Sequence, residues 1–195
     1  MLLNLYWIPL GAGDRAGQSV VRFCGRTYEA TAALFARRPP CGLYHAALVA
    51  ETVAGSVSIE MAPIPDGNGR VDRGVVAEGP VGMRSLGRLR IFRYEVRRWP
   101  DGTIPDLHYA IASPVRITDD PLLVERVLGA LPQVPTLVWG RDELRTGEMW
   151  NSNSVVAWSL AQAELDKAAG VPPNNGRAPG WTAGIVAANQ AAAAQ

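Results

Sequence analysis

Histidine, cysteine and lysine are scarce in this chain of 195 residues. It has His45 and His108, Cys24 and Cys41, and Lys167 as its one lysine among 19 basic residues. Two cysteines and two histidines in this arrangement do not match the ligand patterns of zinc fingers or zinc peptidases. We therefore expect no metal and no organic cofactor. Whether the two cysteines pair is not decided by the sequence.

The chain also lacks a charge excess and a long apolar run. Its 19 basic and 18 acidic residues give a net charge of +1, which does not favour a nucleic-acid partner. No stretch approaches the roughly 20 apolar residues that a membrane-spanning helix needs, so no integral membrane segment is expected. The apolar start has no basic flank and is interrupted by Asn4 and Pro9, unlike a signal peptide. A cytoplasmic protein is the default expectation, with export as an effector left open.

What the sequence does contain is a turn-rich pattern of short strands and helices. Its 48% apolar content and its length suit one α+β domain over 1–186, with a mostly antiparallel sheet and flanking helices. An alanine-rich tail, as a frayed helix or disordered, is expected over 187–195. Strands are predicted at 2–9, 19–24, 43–50, 57–61, 74–78, 89–98 and 107–115, and helices at 29–38, from 120 to about 131, and from 152 or 153 onward.

A predicted β-hairpin brings an imidazole and a carboxylate together. Val57, Ile59 and Met61 alternate with polar residues, as in a strand with one buried face. With a four-residue loop at 51–54, His45 lies directly opposite Glu60, where Cβ atoms of cross-strand neighbours are about 4.5–5.5 Å apart. Glu60 could then orient the ring, whereas a one-residue slip would place the two side chains on opposite faces.

A second segment, 150–158, contains small polar residues at the point where a helix is predicted to begin. The first backbone N–H groups of a helix have no intrahelical acceptor and carry partial positive charge, so they can stabilise an oxyanion. Ser152 is the candidate nucleophile, and Asn151, Asn153 and Trp150 are the candidate residues around the oxyanion and substrate. Helix capping by Ser152 and core packing by Trp150 are the simpler alternatives. His108, on a predicted half-buried strand, is the reserve base.

Three motifs in this order resemble the circularly permuted papain-like fold. They are Tyr44–Val49 with its histidine, Ile59–Pro63, and Asn151–Val156 at a helix start. The group includes enzymes similar to lecithin retinol acyltransferase and permuted NlpC-type cysteine peptidases. The resemblance implies acyl transfer at an amide, ester or thioester through a covalent acyl intermediate, on a peptide, amide or acyl substrate. It places the nucleophile at Ser152, the base at His45 and the orienting residue at Glu60.

Serine stands where such enzymes carry cysteine, and three interpretations of Ser152 remain open. It is an engineered replacement of a natural cysteine, a natural serine nucleophile activated by His45, or the mark of a protein that lost catalysis and kept its groove. The last interpretation corresponds to a different class of function. The chain is then a binding module that holds a peptide or acyl ligand in the same groove.

Six arginines and one acid, Glu95, lie between Arg84 and Arg98. A local basic excess of this kind could contact an anionic partner, such as a phosphorylated substrate or an anionic membrane surface. An edge strand protected by its charges from pairing with other chains is the alternative that we favour.

Overall fold

A computed structural model of the chain describes residues 1–13, 18–64 and 73–193. Within them, six strands form one sheet in the order β4-β5-β3-β2-β1-β6, and all the strand pairs are antiparallel. The α+β class with a mostly antiparallel sheet is therefore confirmed. The strands are Leu2–Pro9 (β1), Tyr44–Thr52 (β2), Gly55–Pro63 (β3), Val75–Pro80 (β4), Arg93–Pro100 (β5) and Val115–Thr118 (β6).

The α-helices of the described residues are Gln18–Phe35 (α1), Pro121–Ala130 (α2), Ser152–Gln162 (α3) and Trp181–Ala193 (α4). The predicted starts of α2 and α3 are confirmed: Asp120 caps α2, since its carboxylate accepts from the N–H of Leu122 at 2.9 Å. The alanine-rich end is helical through Ala193, with Ala187 and Ala188 buried. Residues 194 and 195 lie outside the described residues.

The predicted strand at 19–24 is wrong, because these residues belong to α1. Gly25 follows them and suggested a turn, yet it lies inside the helix. A Cβ atom at Gly25 would come within 2.7 Å of a methyl group of Leu10. The glycine therefore allows α1 to pass close to the end of β1, a tertiary requirement that outweighs the weak helix propensity of glycine.

The predicted hairpin of β2 and β3 is confirmed, with a shorter turn than expected. Thr52 pairs with Gly55, and Leu48 pairs with Ile59. Extending this register places His45 opposite position 62 and leaves Glu60 diagonal to His45 on the same face. The predicted direct pairing of His45 with Glu60 is therefore wrong by two residues, a shift that preserves the face.

The two faces of the sheet have different covers. Leu5, Ala46 and Leu48 lie in a core with Val156 and Leu160 of α3, and α2 also packs on this face. On the other face Ile8, Ala47 and Val49 pack against Ile104, with Leu107 at the margin. By the alternation of strand side chains, His45 belongs to this second face. The segment around residues 104–110 therefore lies beside the imidazole.

Two further strand predictions need correction. Leu107–Tyr109 is a single 3-10 turn instead of a strand, and Val115–Thr118 alone forms β6. The arginine-rich stretch is not an edge strand, because β5 lies between β4 and β3. Its first half forms two short turns, Arg84–Arg88 and Arg90–Phe92.

Candidate active site

The imidazole of His45 is held by a carboxylate that the sequence analysis did not identify. His45 Nε2 lies 3.0 Å from Asp106 Oδ2, and each side chain is about a fifth exposed, at 22% and 21%. A carboxylate only accepts, so Nε2 carries the proton in this contact and the lone pair of the neutral ring is on Nδ1. Asp106 directly precedes the turn Leu107–Tyr109, and this turn packs against β1.

Glu60, the predicted orienting residue, is instead bound to an arginine. Arg97 of β5 donates to Glu60 at 2.8 Å and to Glu95 at 2.9 Å. Burial raises the pKa of Glu60, and the positive charge of Arg97 opposes that shift. Glu60 therefore contributes charge close to His45 and Asp106, whereas the structure assigns the direct contact with the ring to Asp106.

The start of α3 presents Ser152 with its polar groups available. Asn151 caps the helix, because its Oδ1 accepts from the N–H of Asn153 at 2.9 Å, and Ser154 Oγ accepts from the N–H of Asn151 at 3.0 Å. These two N–H groups are therefore occupied by capping. The N–H of Ser152, at the first helical position, has no intrahelical acceptor. In the described part of the chain, no hydrogen bond engages its hydroxyl.

Asn153 joins the start of α3 to the strand that carries His45. Its Oδ1 accepts from the N–H of Ala46 at 2.7 Å, and its Nδ2 donates to the carbonyls of Tyr44 at 3.0 Å and Pro179 at 2.9 Å. The side chain is 3% exposed and all of its polar atoms are used. Asn153 was predicted to lie near the oxyanion, but its contacts make it a brace on both sides of His45.

Ser152 and His45 line the same two clefts. One, of about 360 Å³, is mainly apolar and extends toward Cys24, Tyr28 and Met149. The other, of about 690 Å³, extends toward Glu60, Asp106 and His108. The side chain of His45 belongs to the sheet face opposite the one on which α3 packs. Ser152 is the first residue of α3, however, and at this end of the helix both residues line the two clefts. No hydrogen bond joins them in the described residues. In free enzymes such contacts are often long and shorten when substrate binds.

The remaining predicted site residues divide between the clefts and the core. Asn151 lines the apolar cleft, and His108 lines the polar one and packs against Tyr109, with ring centroids 4.0 Å apart. Trp150 is 1% exposed and belongs to the core. The tryptophan that lines both clefts is Trp139. No motif in the sequence marked it, since it lies in an irregular segment outside the predicted motifs.

Among the described residues, no cluster of three or more His, Cys, Asp or Glu side chains is placed to bind a metal ion. The described helices also include none whose length and apolar character would allow it to cross a bilayer. No protein-family model, curated protein or solved structure matches this chain.

Proposed function

We propose that this protein transfers acyl groups, with Ser152 as nucleophile, His45 as general base and Asp106 as the residue that orients His45. The observation that carries the proposal is the 3.0 Å contact of His45 Nε2 with Asp106, on a histidine that shares two clefts with a serine at a helix start. The permuted papain-like resemblance supports the same roles for Ser152 and His45. This resemblance rests on the three sequence motifs given above.

In the proposed reaction, Ser152 Oγ attacks the carbonyl carbon of an amide, ester or thioester. Its proton passes to Nδ1 of His45, and Asp106 stabilises the resulting imidazolium. The N–H of Ser152 is suited to donate to the oxyanion. Collapse of the tetrahedral intermediate breaks the bond to the leaving group, which takes the proton from His45 and leaves an acyl-serine. Water then completes hydrolysis, or a second nucleophile completes transfer.

The two clefts suggest how a substrate would lie across Ser152. An apolar acyl group or side chain suits the cleft toward Tyr28 and Met149, and a polar portion suits the one toward Glu60 and His108. This division fits a peptide, amide or acyl substrate and does not choose among them. The expectations of a cytoplasmic location and of no nucleic-acid partner stay predictions.

The direct test uses a fluorophosphonate probe, which an activated serine attacks with loss of fluoride. We expect labelling of the purified protein at Ser152, together with hydrolysis of short-chain nitrophenyl esters. Both signals should disappear in Ser152→Ala and fall by about 10²- to 10⁴-fold in His45→Gln. Ser85→Ala, at an exposed serine in another part of the chain, is the matched control for Ser152→Ala, and His108→Gln tests the reserve base. Equal loss in His108→Gln and His45→Gln would reject the assignment of the base.

A Ser152→Cys variant separates slow catalysis from a non-catalytic groove. A thiolate is the better nucleophile, so this variant should form an acyl-enzyme with nitrophenyl esters. The experiment is done in a Cys24→Ser background, because Cys24 is exposed and lines the same cleft. Burial and the neighbouring Glu29 raise the pKa of Cys41, so this thiol reacts slowly. If neither the serine nor the cysteine form is acylated, the binding-module alternative is favoured.

A further inference from the structure

The two turns between β4 and β5 form an exposed surface that combines apolar and basic side chains. We name residues 83–92 the basic–apolar turn. Of its large apolar side chains, Met83 is 51% exposed, Leu89 56%, Ile91 66% and Phe92 37%. Arg88 and Arg90 alternate with them and are exposed. Apolar side chains this exposed, side by side in one short segment, indicate a contact surface.

The positive charge of the basic–apolar turn is only partly compensated. Arg84 pairs with Glu143 at 2.8 Å, and Arg93, just after the turn, pairs with Glu78 at 2.9 Å. No carboxylate among the described residues pairs with Arg88 or Arg90, and residues 83–92 contain no acidic residue. The two arginines are therefore available to an anionic partner.

The basic–apolar turn is fixed to the body of the protein. Gly82 N–H donates to the carbonyl of Trp139 at 2.9 Å, and Arg141 Nε donates to the carbonyl of Gly82 at 2.7 Å. A Cβ atom at Gly87 would lie 2.7 Å from Pro80, so the first turn packs closely on β4. The exposed side chains are thus presented on a braced support, which lowers the entropy cost of binding. Trp139 also lines both clefts, which places this support next to the candidate active site.

We propose that the basic–apolar turn docks on an anionic lipid membrane. Arg88 and Arg90 would bind lipid phosphates or carboxylates, while Leu89, Ile91 and Phe92 enter the boundary between headgroups and acyl chains. A second copy of the chain fits this surface poorly, because a symmetric contact would bring the same arginines face to face. The proposal is independent of the acyl-transfer proposal, since it rests on the exposure and charge of residues outside the site.

The test is co-flotation of the full chain with vesicles of phosphatidylcholine, with and without about a third of phosphatidylserine. We expect binding to the anionic vesicles, weakening as salt rises, and little binding to phosphatidylcholine alone. Each arginine should contribute about fivefold to the partition coefficient, so Arg88→Gln with Arg90→Gln should weaken binding by about 25-fold. Leu89→Ser with Ile91→Ser should also weaken it. The double variants are checked for an unchanged unfolding transition.

Matched controls carry the same changes elsewhere on the surface. Arg116→Gln with Arg126→Gln removes two exposed arginines, and Leu34→Ser with Phe35→Ser removes two exposed apolar side chains of α1; both should leave flotation unchanged. Absence of flotation, or equal loss in a control, overturns the proposal. Loss in the arginine pair without loss in the Leu89 and Ile91 pair also rejects membrane insertion and favours an acidic protein as partner. Loss of nitrophenyl ester hydrolysis in Ser152→Ala has no bearing on it.

Discussion

At the scale of single residues, the neighbour of His45 decides what the imidazole can do. Asp106 lies 61 positions further along the chain, in an irregular segment after β5. A hydrophobic period specifies which face of a strand is buried, and it correctly placed His45 and Glu60 on one face. It contains no information about which loop crosses that face, so Asp106 could not be predicted from the sequence.

The two carboxylates near His45 should therefore differ in their effect on catalysis. Asp106→Asn removes the negative charge that stabilises the imidazolium and fixes the tautomer of the ring, and we expect kcat/KM for a nitrophenyl ester to fall by about 10²- to 10⁴-fold. Glu60→Gln should leave kcat/KM within about tenfold of the original value, because Glu60 contacts Arg97 and not the ring. Steady-state kinetics on both folded variants measures the difference, and a larger loss in Glu60→Gln than in Asp106→Asn would contradict the orienting role assigned to Asp106.

At the scale of secondary-structure elements, the sequence predicted those whose signals are local. The alternation of β3 and the capped starts of α2 and α3 depend on neighbouring residues, and all three are present. The predicted strands at 19–24 and 107–115 failed because short apolar runs fit several local structures. In the first case the passage of α1 over Leu10 decided the outcome. In the second case, Leu107–Tyr109 forms a 3-10 turn that packs against β1 instead of pairing as a strand.

The contact of α3 with β2 depends more on one buried amide than on the helix cap. Asn153→Ala leaves the N–H of Ala46 and the carbonyl of Tyr44 without their partner, and we expect a loss of about 3 kcal/mol in the free energy of unfolding. Asn151→Ala removes the cap and one hydrogen bond to the carbonyl of Pro179, which keeps its bond from Asn153, and should cost about 1 kcal/mol. Urea unfolding of the two variants makes the comparison. Equal losses would mean that Asn153 has no bracing role.

At the scale of the whole molecule, an ionic cluster around the buried Glu29 links distant parts of the chain. Glu29 of α1 binds Arg38 and accepts from the N–H of Cys41 at 3.0 Å, and Arg177 lies 3.6 Å from it. Arg177 also lies 3.5 Å from Glu148, whose carboxylate accepts from the N–H of Gly180. The cluster therefore links α1 to the segments before α3 and α4. The charges of these residues are evident from the sequence, but the sequence does not show which of them form ion pairs.

The stability of the protein should depend on the ionisation of Glu29. The hydrogen bond with Arg38 lowers the pKa of this carboxyl from 4.5 to about 2. A carboxyl group whose pKa is lower in the folded than in the unfolded protein contributes its full stabilisation at pH values above its unfolded pKa. This contribution is lost as the pH falls from about 4.5 toward 2. Glu29→Gln should cost about 2 kcal/mol at pH 7, and the difference from the original protein should shrink over that range.

Urea unfolding at pH 7, 4 and 3 measures the effect of Glu29→Gln. Glu164→Gln is the control, because Glu164 is 82% exposed and lies 3.4 Å from Arg126; it should change the free energy of unfolding by less than about 1 kcal/mol. A Glu29→Gln difference that is independent of pH would contradict the role assigned to the carboxylate.

The brace of Asn153 on Ala46, across 107 positions of sequence, has a consequence for how the protein is made. The ribosome synthesises His45 before Ser152, so the imidazole is present before the hydroxyl. A growing chain that has not yet emerged as far as residue 153 therefore holds His45 without the brace and without the proposed nucleophile, Ser152. The proposed chemistry therefore waits until residues 152 and 153 have been synthesised and have packed against β2.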